Sequence, residues 1–189
     1  AFAMDYNAEW KYYQRRYYKM AAEASEKKAL KLASRKFRDA PMEIKQIISK
    51  DLGRVDRCIT CHVGMDEYAN PTMKNDFTKH PYKAHPNVEM LVKNHPFTKY
   101  GCTICHQGQG LATTVKDAHG KVQNWERPML EGKRVQASCA RCHENFEKLP
   151  GAEIAAKGKR LFYAHGCQGC HSINTVGGVV SVDLGDIND

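Results

Sequence analysis

Apolar positions in the first part of the chain recur every three or four residues, with cations between them. The repeat runs through residues 5–38, and no glycine or proline interrupts it before Pro41. Its apolar members are Trp10, Tyr13, Tyr17 and Ala21, and the interleaved cations are Lys11, Arg15, Arg16 and Lys19. Because this is the period of one helix face, the pattern predicts a single long amphipathic helix over residues 5–38.

A second, shorter helix is predicted directly afterwards. Asp39 and Pro41 have the residue types of an N-cap and an early helical position, and Gly53 would end the helix. Its apolar face would carry Ile44, Ile47 and Ile48. Strand signals are weak, and residues 176–182 are the only strand we expect. The pattern therefore predicts a mainly α-helical fold with few strands and a long N-terminal helical extension.

The composition adds little to this picture except by exclusion. The chain has 189 residues, of which 26% are charged and 42% are hydrophobic, as in an ordinary soluble globular protein. This length suffices for one compact domain, or for a small core with an extension. No window approaches eighteen consecutive apolar residues, so we expect no transmembrane segment.

The candidate chemistry lies in the cysteines. All eight cysteines fall into four copies of the pattern Cys-x-x-Cys-His, and none is left over. The copies are Cys58, Cys61 and His62; Cys102, Cys105 and His106; Cys139, Cys142 and His143; and Cys167, Cys170 and His171. This number of complete copies is the most specific signal in the chain.

Cys-x-x-Cys-His is the attachment site of c-type haem. Two thiols on one turn can each form a thioether to the porphyrin, and the adjacent histidine is then held under the iron as its proximal ligand. A redox dithiol or half of a zinc site competes for a single copy, but neither requires a histidine after every second cysteine. We therefore predict four covalently bound haem c groups, with His62, His106, His143 and His171 as the proximal ligands.

The segments between the motifs are too short to build a core of their own. The first cysteines, at positions 58, 102, 139 and 167, lie 44, 37 and 28 residues apart, which is not a simple repeat. With about 40 residues per haem, the haems are expected to form the core themselves. We predict an N-terminal helical extension over residues 1–53, a three-haem core over 54–150 and a fourth-haem segment over 151–189.

Haem attachment also predicts where the protein works. Thioethers to haem form outside the cytoplasmic membrane, so we expect an exported protein, periplasmic or extracellular. Ala1, Phe2 and Ala3 have the small-x-small form of a signal-peptidase boundary. They fit either the end of a signal peptide or the start of the mature chain.

The net charge has to be considered together with the cofactors. There are 29 Lys and Arg against 21 Asp and Glu, a formal net charge of +8. The propionates of four haems would offset much of this charge. The basic pairs at residues 15–16 and 27–28 lie in the predicted helix, where a solvated face is the simpler explanation. We therefore expect no nucleic-acid partner.

Five histidines lie outside the motifs, and imidazole is a suitable sixth ligand for iron. Three of them precede proline, which favours an extended backbone, and a fourth lies in a turn-like Ala-His-Gly sequence. We predict these four as distal ligands: His80, His85, His95 and His119. His165 is a further candidate that ranks behind them, because it precedes Cys167 by two residues and should lie at the edge of the fourth haem. The alternative distal ligands are Met65, Met73, Met90 and Met129, and methionine would raise the reduction potential.

The predicted N-terminal helix is rich in tyrosine, at positions 6, 12, 13, 17 and 18. Amphipathic aromatic side chains suit a docking surface. The alternative is that the helix packs over the chain's own core. A helix of this length would be about 50 Å long, so part of it is expected to meet a partner.

Several short sequences between Ile44 and His143 occur in a definite order. They are residues 44–47 and 55–62, the His-Pro pairs at 80, 85 and 95, and residues 101–110, 117–120 and 136–139. This set resembles a multihaem cytochrome c family of quinol-oxidising, cytochrome-bc-type gene clusters in metal- and sulfur-respiring bacteria. The resemblance covers about half of the chain and implies a periplasmic electron carrier working beside a membrane quinol oxidase.

The C-terminal part resembles the opening of a class I, single-haem cytochrome c. The similar pieces are residues 158–162, 166–171, 177–178 and 183–184. In that family the distal methionine and a closing helix come later. Here no methionine follows Met129, so a complete class I module is not expected and the sixth ligand of the fourth iron stays open.

Together these patterns predict an electron-transfer protein rather than an enzyme. Four closely spaced haems would carry electrons between a membrane quinol oxidase, or another donor, and a periplasmic or extracellular acceptor. Redox proteins are therefore the expected partners. Two alternatives are a subunit of a polymerised extracellular cytochrome filament and a multihaem oxyanion reductase with one open haem.

Overall fold

The computed structural model describes residues 7–66, 70, 74–173, 175–181 and 183–184. This part of the chain is mainly helical with few and short strands, which confirms the predicted mainly α-helical class. The α-helices are α1 Glu9–Lys27, α2 Lys31–Arg38, α3 Phe97–Tyr100, α4 Thr103–His106, α5 Val115–Ala118 and α6 Glu153–Ala164. None of the described helices is both long enough and apolar enough to cross a membrane.

The remaining elements are short. Tight 3₁₀ turns occur at Cys58–Thr60, Val63–Met65, Gly132–Arg141, Phe146–Lys148 and Cys167–Gly169, and Val88–Val92 forms a π-helical turn. The strands are β1 Ile47–Ser49, β2 Arg54–Asp56, β3 Ser172–Ile173 and β4 Val176–Gly177. They form two antiparallel hairpins, β1 with β2 and β3 with β4.

The prediction of one continuous N-terminal helix is wrong. Helix α1 ends at Lys27 and α2 begins at Lys31, and Ala29 between them has a left-handed φ of 57°. The break lets α2 fold back on α1, where the Ser34 hydroxyl donates to Glu26 at 3.0 Å and Arg38 pairs with the same carboxylate. The return also brings Phe37 edge-on to Tyr17, with ring centres 6.3 Å apart. Burial of this aromatic pair outweighs the loss of helix continuity.

The predicted second helix is also wrong, because its residues form an irregular segment, strand β1 and a turn. Strand β1 pairs with β2 so that Ile47 lies opposite Asp56, and Gly53, with φ of 59°, lies in the turn between them. The backbone before β1 forms hydrogen bonds with side chains. The Glu43 N–H donates to the Gln14 side chain at 3.2 Å, and the Lys45 N–H donates to the Thr60 hydroxyl at 3.0 Å. These tertiary hydrogen bonds replace the intrahelical ones that a helix would have made.

The predicted strand over residues 176–182 is present only in part. Strand β4 covers Val176–Gly177, and residues 178–181 do not continue it. Val182 lies outside the described residues.

Contacts divide the chain into two compact units. The first joins Ala1–Thr103 with Gln107–Met129, and the second joins Ile104–His106 with Leu130–Asp189. The predicted three-part organisation concerns which segment surrounds which haem, and it stays a prediction.

The first unit has an aromatic core. Tyr17, Tyr18 and Ala21 of α1 are buried there together with Val63 and Tyr82. This burial agrees with the interpretation that the tyrosine-rich helix packs over its own chain. Tyr12 remains 53% exposed, and Tyr6 lies outside the described residues.

Candidate functional site

Each Cys-x-x-Cys-His motif forms one tight turn. In residues 58–62, 139–143 and 167–171 the histidine N–H donates to the carbonyl of the first cysteine, at 2.9, 3.0 and 2.9 Å. In the remaining motif the turn is the short helix α4, Thr103–His106. Different sequences thus adopt a local geometry in which both thiols and the histidine belong to a single turn, as haem attachment requires.

Three of the thiols lack the lowered pKa of a redox dithiol. Burial raises the pKa of Cys61 to about 12. Burial also raises the pKa of Cys105 and of Cys139. Redox-active thiols instead have a lowered pKa, because the thiolate is the reactive form. Cys61, Cys105 and Cys139 are therefore protonated at neutral pH.

The zinc interpretation also gains no support. Within the described ranges, no three side chains of His, Cys, Asp or Glu converge in the way that a zinc ion requires. A haem iron makes no such demand, because the porphyrin occupies four of its positions and the protein supplies at most two ligands.

Helix α1 fixes the first motif. Gln14 is fully buried, and its side-chain amide donates to the Thr60 carbonyl at 3.0 Å and to the Glu43 carbonyl at 2.6 Å. The Thr60 hydroxyl, itself 1% exposed, donates to the Lys45 carbonyl at 2.7 Å. The turn that bears His62 is therefore anchored from two sides by buried hydrogen bonds.

A buried carboxylate connects the first motif to the start of the second. Asp56 is 1% exposed and lies two residues before Cys58. Its carboxylate accepts the Cys102 N–H at 2.6 Å, the Thr103 N–H at 3.0 Å and the Thr103 hydroxyl at 2.7 Å. Hydrogen bonds to a charged group are among the stronger ones, so Asp56 holds the first motif and the start of the second close together.

Two glycines make room for that carboxylate. A Cβ at Gly101 would collide with the Asp56 carboxylate, and a Cβ at Gly110 would collide with the same group and with the Val55 carbonyl. Gly101 also has φ of 68° and ψ of −161°, a conformation nearly restricted to glycine. The glycines on either side of the second motif therefore permit the approach of Asp56.

In the second unit, the end of the second motif is hydrogen-bonded to the segment that contains the third. The Ser138 hydroxyl donates to the Cys105 carbonyl at 2.6 Å, and the Leu130 N–H donates to the His106 carbonyl at 2.7 Å. Arg141 donates to the Ser138 hydroxyl at 2.9 Å and also to the Ile104 carbonyl. Side chains within and just before the third motif thus hold the end of the second.

The fourth motif follows helix α6 in the same unit. Its turn is closed by backbone bonds from the chain beyond it: Gly178 N–H to the Gln168 carbonyl at 2.8 Å and Ser181 N–H to the Cys170 carbonyl at 3.0 Å. Cys170 itself is exposed. The nearby apolar side chains are also exposed, namely Val176 at 68%, Val179 at 93% and Val180 at 82%.

The structure brings two of the predicted distal ligands to the first motif. The rings of His80 and His119 each lie with their centres 6.4 Å from that of His62. The rings of His85 and His95 lie against Phe97, at 5.6 Å, and Tyr100, at 5.3 Å. Desolvation by burial lowers the pKa of His80 and of His85, which favours the neutral imidazole that binds metals.

The other distal candidates are more dispersed. His165 is exposed at the end of α6. Met65 is half-buried beside the first motif, Met90 is 38% exposed, and the Met129 N–H donates to the His119 carbonyl at 3.0 Å. Met73 lies outside the described residues.

The residues present fit haem. Apolar side chains beside the fourth motif, namely Val176, Val179 and Val180, are exposed and would be available for a porphyrin to contact. Single-turn attachment points and nearby neutral imidazoles are the donor groups that haem c uses.

Sequence reasoning missed the residues that position the motifs. In the sequence, Asp56 and Gly101 stand out only as parts of a family resemblance, and Gln14 is one polar residue in a predicted helix. A buried carboxylate with backbone partners 46 and 47 residues away has no local signature. At the second motif, the glycine directly before Cys102 is the sequence signal for a backbone conformation with positive φ.

Comparison with known proteins supplies no relative. No family model matches the chain, and no curated protein or solved structure matches it either.

Proposed function

We propose that the chain is a tetrahaem c-type cytochrome, an electron-transfer protein rather than an enzyme. The observation that carries this proposal is that four Cys-x-x-Cys-His motifs each form a single tight turn. The proximal ligands would be His62, His106, His143 and His171. The distal ligands would be drawn from the histidines outside the motifs.

Side chains hold neighbouring motifs together within each compact unit. Asp56 ties the first motif to the start of the second, and Ser138 ties the end of the second to the third. Each bound haem would supply an iron that gains and loses one electron. Short connections between neighbouring attachment points are what an electron carrier with closely spaced haems needs.

The setting follows from this chemistry. Because thioether attachment takes place outside the cytoplasm, the protein would work in the periplasm or at the cell exterior. Its partners would be redox proteins, with a membrane quinol oxidase as the donor that the family resemblance suggests. The basic net charge of +8 would be balanced largely by the haem propionates.

Mass spectrometry of the denatured protein tests the attachment. We expect four haem increments and no free thiol, and three increments in the double variant Cys167→Ala, Cys170→Ala. The matched variant Ser181→Ala, close to the same motif, should keep four. Fewer than four increments in the unmodified chain, or reactive thiols, would contradict the proposal.

A redox titration with carbon monoxide present separates the carrier from the reductase. A carrier with four six-coordinate irons takes up four electrons reversibly, and its reduced spectrum does not change with carbon monoxide. A reductase needs one open iron, so a quarter of the haem absorbance would shift. Such a shift would transfer the proposal to the open-haem alternative.

One observation favours a second candidate, a subunit of a polymerised filament. Val176, Val179 and Val180 expose an apolar surface beside the fourth motif, and such surfaces often mark association sites. If the surface binds a second copy head to tail, the contact does not close and a filament forms. Sizing and negative-stain microscopy of the haem-loaded protein test this, and Val179→Asp should return filaments to monomers. A monomer at all concentrations would exclude it.

A further inference from the structure

Two histidines outside the motifs lie at the same distance from His62, the proposed proximal ligand of the first motif. The ring centres of His80 and His119 are both 6.4 Å from that of His62. The ring planes are inclined by 75° for His80 and by 41° for His119. All three residues belong to the first compact unit.

This separation is the one that two imidazoles on opposite sides of a single metal ion would have. An imidazole nitrogen binds a metal at about 2.0 Å, and the ring centre lies roughly one bond length behind that nitrogen. Two rings facing each other across one iron therefore have centres about 6 to 6.5 Å apart. Since only one position would lie opposite His62, at most one of the two histidines could occupy it.

The backbone of His119 is held on both sides. Its N–H donates to the Val115 carbonyl at 3.0 Å, and its carbonyl accepts the Met129 N–H at 3.0 Å. Next to it, Gly120 is buried, and a Cβ there would collide with Trp125 and Pro128. The position of His119 is therefore set by the surrounding chain.

Helix α1 holds His119 and the first motif at once. Glu9 accepts the Val115 N–H at 3.0 Å, at the start of the short helix α5 that His119 follows. Five residues further along α1, Gln14 donates to the Thr60 carbonyl at 3.0 Å, in the turn that precedes His62. One rigid helix thus anchors both histidines, whereas His80 is exposed on a loop between Lys79 and Pro81.

From this geometry we infer that His119 is the sixth ligand of the iron bound by His62, and that α1 acts as the spacer between the two. The inference rests on the proposed function and assigns to α1 a role other than docking. Glu9 is a positioning residue, because it acts on the ligand only through Val115.

Counting high-spin irons by low-temperature EPR tests whether two histidines share one iron. The variants are His62→Ala, His80→Ala and His119→Ala, singly and in pairs, each with its haem content measured by mass. If two substituted histidines bind the same iron, the double variant has as many high-spin irons as a single variant. If they bind different irons, the numbers from the two single variants add. The count remains valid if His62→Ala fails to load its haem, since only the remaining irons are then scored.

We expect the pair His62→Ala, His119→Ala to show no more high-spin irons than His62→Ala alone. Because His80 could replace a missing His119, the second comparison is made in the His80→Ala background. There, His119→Ala should add one high-spin iron, and added imidazole should reverse the change. One further high-spin iron in the first pair, or no additional one in the second, would overturn the assignment. Haem content is measured separately, so loss of all haem would count against the proposed function instead.

A milder substitution tests the role of the helix. Glu9→Ala should change the low-spin EPR signal of one iron while all four haems remain attached. The control is Glu23→Ala, which alters an exposed carboxylate on the same helix. Identical spectra for the unmodified protein and Glu9→Ala would refute the spacer role.

Discussion

Around the first motif, Thr60 is 1% exposed and Val63 is fully buried, and the aromatic side chains of α1 pack nearby. Around the fourth motif, Cys170 is exposed and Val176 is 68% exposed. The two motifs form the same backbone turn, with histidine-to-cysteine hydrogen bonds of 2.9 Å in each. Their surroundings, considered within each compact unit, are very different.

The difference shows that the motif's local geometry does not depend on a polypeptide core. In the first unit, buried side chains such as Gln14 and Asp56 hold the turn from outside. In the second unit, the described buried apolar residues are the small Ala152 and Ala156, and the fourth turn is closed by backbone hydrogen bonds. We therefore expect the same type of substitution to lower the free energy of unfolding more in the first unit than in the second.

The largest difference in stability between the two units is expected when one aspartate in each unit is replaced by asparagine. Asp56→Asn places an amide group among three hydrogen-bond donors at a site that is 1% exposed, which should lower the free energy of unfolding by about 2–4 kcal/mol. Asp183→Asn is the matched change in the second unit, where the exposed carboxylate accepts the Ser172 hydroxyl at 2.8 Å. It should cost under about 1 kcal/mol. Denaturant unfolding of the haem-loaded proteins measures both, and equal costs would remove the contrast between the units.

A smaller difference is expected from two glycines that directly precede a motif. Gly101 has φ of 68° and Gly166 has φ of 70°. Alanine at Gly166 meets no atom within 4 Å, so only the left-handed backbone is penalised, by about 1 kcal/mol. Alanine at Gly101 also meets the Asp56 carboxylate and should cost about 2–3 kcal/mol. If Gly101→Ala proved as mild as Gly166→Ala in thermal unfolding, the proposed confinement of Asp56 would be wrong.

The smallest effect concerns the buried tyrosine of the first unit. Burial raises the pKa of Tyr17 from 10.0 to about 12. Since the folded-state pKa is the higher one, this tyrosine's contribution is fully present below pH 10 and is lost as the pH rises towards 12. Between pH 10 and 11 the loss is about 1 kcal/mol. Tyr17→Phe should abolish this part of the alkaline destabilisation and leave the pH dependence between 7 and 9 unchanged, as urea unfolding can measure. An unaltered alkaline slope would show that the hydroxyl ionises freely.

The local patterns were sufficient for the four Cys-x-x-Cys-His turns and for the mainly helical class. Both depend on residues close in sequence: a Cys-x-x-Cys-His turn spans five positions, and helical periodicity is visible within α1. The same patterns failed at Ala29, where the helix breaks, and at Ile47, which lies in a strand. At both places, the return of Phe37 to Tyr17 and the hydrogen bond of Lys45 to Thr60 outweigh the local preference.

The environment of each motif depended on contacts between distant residues. Asp56 accepts a hydrogen bond from Cys102, 46 residues away, and Glu9 of α1 accepts one from Val115, 106 residues away. The proximity of His62 to His119 has the same origin, because it requires α1 to contact both segments. Contacts between residues so distant in sequence depend on which surfaces can be buried together and on which buried polar groups find hydrogen-bond partners. These conditions exist only once the chain has folded.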